Sequence, residues 1–101
     1  MDPRPIELHP AAIEEGRAAR EWYEERSAAA SEAFMAELDV AIERIAADPE
    51  RYASYMHGTR RYLLKRFPFF VVFRVVPGSI QVIAVAHGRR KPGYWRDRLI
   101  D

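Results

Sequence analysis

Phe69 to Val76 (FFVVFRVV) is an almost unbroken run of aromatic and β-branched residues between Pro68 and Pro77. That is the pattern of a strand covered on both faces, not of a half-solvated one. Ile80 to Ala86 (IQVIAVA) is a second such run. The intervening Pro77-Gly78-Ser79 suits only a tight reversal, so the two runs are expected to pair as an antiparallel hairpin. Tyr62 to Phe67 (YLLKRF) reads as a further strand, but its alternation, Leu63 and Lys65 against Leu64 and Arg66, leaves the buried face open. In the first half the period changes. Ala12, Gly16, Ala19 and Tyr23 recur at helical spacing as a stripe of mostly small residues, widened by Trp22. His9-Pro10 opens this helix, since proline's missing N–H costs nothing at the first helical position, and Glu14 and Glu15 lie near the positive end of its dipole. The register is lost between Arg26 and Ser31, where Ser27 or Ser31 can cap a second helix. Phe34, Leu38, Ala41, Ile42 and Ile45 then form a core stripe that stops before Asp48-Pro49. Ile6-Glu7-Leu8 is a short strand that joins the sheet, and residues 49–58 are a loop. The order β-α-α-β-β-β predicts an α+β fold in which a helical hairpin packs on one face of a small antiparallel sheet, followed by a short C-terminal segment.

At 101 residues the chain is expected to be one domain with one core, residues 1–101. It contains no cysteine, so there is no disulfide framework and no thiol nucleophile, as fits a reducing cytoplasm. No apolar run approaches the roughly 18 residues needed to cross a bilayer, and no membrane partner is expected. The net charge of +1 hides a segregation: residues 1–50 carry 5 basic and 13 acidic side chains, whereas residues 51–101 carry 11 and 2. An acidic helical half and a basic strand half make a dipole suited to a polyanion or an acidic protein partner.

Candidate chemistry is sparse. The three histidines, His9, His57 and His87, lack a His, Asp or Glu at metal-ligand spacing, so neither metal nor cofactor is expected. His87 ends the last strand beside Gly88-Arg89-Arg90, which sets a titratable imidazole next to two guanidiniums able to stabilise a phosphorane or bind phosphate. Equally, His87 can hydrogen-bond the strand end while the arginines are solvated. Arg74 interrupts an apolar strand and is read as structural, paired with a helix carboxylate such as Glu37 or Glu43. Trp95 reads as a lid packed on the sheet or helices.

The order of an arginine pair, FPFFVVFRV, a turn, IQVIAVAHGRR, P-G-Y-W and a closing arginine resembles the RelE/ParE superfamily of toxins from bacterial type II toxin-antitoxin (plasmid stabilisation) systems. The helical half, HPAAIEEGRAAREWYEER and AFMAELDVAIERIAADPERY, fits the same family, so the resemblance covers almost the whole chain. It implies the same fold, a cognate antitoxin that wraps the toxin, and one of two activities. A ParE-like toxin inhibits DNA gyrase without catalytic residues of its own. A RelE-like toxin is a metal-independent endoribonuclease that cuts mRNA on the ribosome. Where RelE-type nucleases carry an RNA-facing arginine, the register places Phe70 here, and a RelE-type tyrosine aligns with Trp95, one position after Tyr94. Arg90 matches a RelE-type arginine. The resemblance is therefore closer to the ParE branch, with Arg60, Arg61, Lys65, Arg66, Arg89, Arg90, Arg96 and Arg98 as the basic surface for target or antitoxin. The nuclease alternative would use Arg61, Lys65, His87, Arg90 and Tyr94. A non-toxic antitoxin-binding member is a third alternative, and a homodimer or a heterotetramer with the antitoxin are the assemblies in view.

Overall fold

The computed structural model describes residues 3–100, and it has the expected order of elements. Strand β1 (Ile6–Leu8) leads into helix α1 (Pro10–Glu24), which is followed by helix α2 (Ala28–Ala47). Two short 3-10 turns, Pro49–Arg51 and Met56–Gly58, then precede strands β2 (Arg60–Leu63), β3 (Phe69–Val76) and β4 (Ser79–His87), and a last 3-10 turn covers Arg96–Leu99. The four strands form one sheet in the order β1-β4-β3-β2.

The caps explain the helix boundaries. At α1, Pro10 sits at the first position and the His9 Nδ1 accepts the Ala11 N–H at 3.0 Å. At α2 it is Ser27 that caps, accepting the Ala30 N–H at 3.2 Å. Ala12, Gly16 and Ala19 of α1 and Phe34, Leu38, Ala41 and Ile45 of α2 are buried, so both stripes face the core. Gly16 faces the Leu38 Cδ2, which a Cβ there would meet at 3.5 Å, an ordinary van der Waals contact. Tyr23, Phe34, Phe67 and Phe69 interlock between helices and sheet with ring centroids 5.0 to 6.4 Å apart. Trp22 departs from the expectation: it is 51% exposed and lies beside the stripe, with the Arg26 guanidinium 3.6 Å over its ring.

The sheet is mixed instead of wholly antiparallel. Strand β1 runs parallel to β4 through Ile6↔Ile80 and Leu8↔Val82, whereas β2, β3 and β4 are antiparallel neighbours. Three residues of alternation carry no information about direction. The parallel pairing is extended at both ends by Ile80 N–H to Pro5 O and His9 N–H to Val82 O, both 2.9 Å. The β3–β4 turn is Pro77-Gly78, with Gly78 at φ 81°, a backbone position that other residues resist. Strand β2 lies two residues earlier than expected at its start and four earlier at its end. It stops because the Glu37 carboxylate of α2 takes the backbone N–H groups of Lys65 and Arg66, leaving the Leu64 N–H to close the connection onto Phe69 O at 3.0 Å. Tyr62 and Leu64 are the buried side chains here.

The β3–β4 ladder carries one irregularity. Val72 pairs with Ala84 and Phe73 with Val82, so Ile83 is an extra residue in β4. This bulge shifts the phase of the strand. Before it, Ile80 and Val82 face the helices. Beyond it, Ile83 and Ala84 both join the core on the opposite face, and Val85 returns to the helix side. The opposite face is closed by Trp95, 1% exposed, which packs with Val72, Ile83, Ala84 and Ala86 under Tyr55. Trp95 is thus the expected lid, on the face away from the helices.

Candidate functional site

Strand β1 covers only the first part of β4, through Val82. Beyond the bulge, the edge of β4 is satisfied by side chains. Glu15 of α1 accepts the Val85 N–H at 3.0 Å, and Arg98 donates to the Ile83 carbonyl at 3.1 Å. The same Glu15 carboxylate receives both terminal nitrogens of Arg98, at 2.8 and 2.9 Å, and the Tyr94 hydroxyl at 2.5 Å. Bidentate pairing of this kind is strong and fixes orientation. Burial, followed by the hydrogen bond to Glu15, pushes the Tyr94 hydroxyl well above the ordinary tyrosine range, and the Glu15 hydrogen bond likewise raises Arg98. Sequence reasoning missed Glu15 as a hub. The available signal was its place three residues after Ala12 and four before Ala19, on the flank of the buried stripe.

The residues singled out in the sequence fall into separate places. Arg60 is turned inward, donating to the carbonyl of Tyr52 at 2.7 Å and that of Glu50 at 3.3 Å. Arg61 lies on the face away from the helices, its guanidinium 4.4 Å from the Tyr55 ring and 5.2 Å from that of Phe70. Arg66 pairs with Glu37, next to the exposed Lys65. Arg98 is spent on Glu15. Arg89, Arg90, Lys91 and Arg96 are exposed after β4. Arg74 does not meet a helix carboxylate as expected. Its position in the strand points it to the opposite face, where its described partners are the Gln81 Oε1 at 2.7 Å and the Leu99 carbonyl at 3.3 Å. Glu37, the carboxylate expected for it, serves the β2–β3 connection.

Of the five nuclease candidates, His87 and Arg90 line one groove on the helix side of the sheet. The His87 ring stands edge-on to Phe69 at 4.9 Å, and its Nδ1 accepts the Arg89 N–H at 3.0 Å, which puts the proton of the neutral ring on Nε2. Arg90 stacks 3.8 Å over Tyr94. Arg61 is across the sheet from His87, and the Tyr94 hydroxyl is directed at Glu15. Among the described residues no group of three or more His, Cys, Asp or Glu side chains could hold a metal ion, and no helix is long and apolar enough to cross a membrane.

Fold and surface together define a small α+β protein with exposed Arg89, Arg90, Lys91 and Arg96 in the segment after the last strand. The chain matches the family model for the ParE toxin of type II toxin-antitoxin system, parDE, over residues 6–92, and it belongs to that family. The solved "Chromosomal ParDE TA system from P. aeruginosa" shares the fold, with a TM-score of 0.73 at 20% sequence identity over 83% of this chain and 95% of that one. No curated protein sequence matches the chain.

Proposed function

We propose that this toxin-family chain acts as a single cytoplasmic domain that inhibits DNA gyrase by binding it, and that a cognate antitoxin neutralises it by covering its basic surface. The observation that carries the reading is that the set of polar groups a nuclease would need is incomplete at its one gathering point, the groove of His87 and Arg90. Phe70 lies under Arg61 on one face, His87 is on the other, and the Tyr94 hydroxyl is engaged by Glu15. Activating a ribose 2′-hydroxyl and neutralising a phosphate requires such groups around one reacting atom. The exposed Arg89, Arg90 and Arg96 after β4 suit instead a protein-binding surface that spreads its energy over several contacts. Arg60, Arg66 and Arg98 act in it by holding segments in place.

The test is controlled expression, with DNA supercoiling and mRNA integrity measured in the same cells. Stalled gyrase complexes with intact mRNA are expected. Ribosome-dependent mRNA cuts that vanish in His87→Ala would overturn the gyrase reading in favour of the nuclease.

A further inference from the structure

Helix α1 does not cover the end of the sheet evenly. Between its outer flank and the end of β4 lies an open groove of about 390 Å³, walled by Trp22, Tyr23, Pro68 and Phe69, floored by Val85, and bordered by His87 and Arg90. The walls are aromatic, yet Trp22 stays 51% exposed, an unusual position for a residue whose burial is so favourable. The charged side chains that line the groove are Arg90 and Glu15. Its lining has one carboxylate, Glu15, and that one is engaged by Arg98, Tyr94 and the Val85 N–H. What faces a newcomer is therefore Arg90, held in position by its stacking on Tyr94, the imidazole of His87 as a hydrogen-bonding group, and Arg26 on top of the Trp22 ring. Arg89 and Lys91 are exposed beside them.

We propose that this groove receives a segment of the cognate antitoxin in which a bulky apolar side chain is flanked by a carboxylate. The apolar side chain lies against Trp22, Tyr23 and Phe69, and the carboxylate meets Arg90 and the His87 imidazole. The assignment rests on the toxin–antitoxin reading and adds to it the place and chemistry of one anchor. It also gives His87 and Arg90 a role that needs no reacting group near them.

The two tryptophans make the groove observable. Trp95 is 1% exposed and reports the fold, whereas Trp22 reports the groove. The probe is the antitoxin encoded next to the toxin gene, co-expressed with the full chain and with any tryptophan of its own replaced by phenylalanine. In the complex, quenching of Trp22 fluorescence by acrylamide should fall to nearly the level of Trp95, and Trp22→Phe should remove the quenchable component. Arg90→Glu and Ala18→Glu, the second at an exposed groove position, should each raise the Kd by about tenfold or more through like-charge repulsion. Arg20→Glu, outside the groove on the same helix, should leave the Kd unchanged. A complex in which Trp22 is quenched as freely as in the toxin alone overturns this proposal and leaves the toxin–antitoxin reading standing. Failure of any complex to form overturns that reading and the proposal with it. Protection of Trp22 by duplex DNA but not by the antitoxin also overturns the proposal.

Discussion

Glu15 and Arg98 meet through two hydrogen bonds, 2.8 and 2.9 Å long, although 83 positions separate them in the chain. Their side chains are only 16% and 18% exposed, so the contact is largely withdrawn from solvent. Removing one partner strands the other, and the loss is expected to exceed that of a surface ion pair. Glu15→Ala also leaves the Val85 N–H without its acceptor. We expect Glu15→Ala to cost about 2 kcal/mol or more in urea unfolding, with the double variant Glu15→Ala/Arg98→Ala costing clearly less than the sum of the two single changes. Additive losses would show that the two side chains do not act as a unit.

Tyr94 gives the same node a pH signature. Its folded-state pKa is raised above the ordinary value of 10.0, first by burial and then by its bond to Glu15. A raised pKa contributes stability in full below the unfolded value and loses it as pH climbs beyond that value. Stability should therefore fall above about pH 10, and Tyr94→Phe should reduce that fall relative to the parent. In an ultraviolet titration, Tyr94 and Tyr23, the latter raised by burial, should ionise above the ordinary tyrosine value of 10.0.

Phe34 is fully buried and touches the rings of Tyr23, Phe67 and Phe69. Phe34→Ala is expected to cost about 3–5 kcal/mol, and Leu38→Ala about 2–5 kcal/mol, in denaturant titrations. A loss below about 1 kcal/mol at Phe34 would contradict the packing described for α2.

Charge reversal separates the two activities. If binding carries toxicity, reversals at Arg89, Arg90 and Arg96 should each weaken growth inhibition partially and should act cumulatively. A catalytic group behaves otherwise, with one substitution costing about 10²-fold or more and further ones adding little. Dose–response growth curves with titrated expression read the difference.

Much of the fold was legible because its period was. The stripes from Ala12 to Tyr23 and Phe34 to Ile45, the Pro77-Gly78 turn and the two apolar runs each state their element in local sequence. What stayed hidden depends on partners distant in the chain. The direction of β1 is set by β4, the end of β2 by Glu37 from α2, and the pairing of Arg74 by the C-terminal segment. The site was less legible still. Equal arginines in the sequence become unequal in space, Arg60 and Arg98 turned inward and Arg89 and Arg96 left at the surface. Glu15 gave little sign of its role, because a tandem of glutamates near a helix start is ordinary.

The extra residue in β4 acts as a spatial frameshift. A strand is a two-letter code, inside and outside, and Ile83 is a letter that β3 does not read. Deleting it would set Val82 directly before Ala84 and restore even pairing with β3, with every later side chain of the strand keeping its side. Val85 would still face the helices opposite Val71, and the imidazole now at position 87 would stay at the groove mouth opposite Phe69. The chemistry at the end of the sheet is thus addressed by its pairing with β3 and not by the number of residues in β4, so a strand shortened by Ile83 should keep that address.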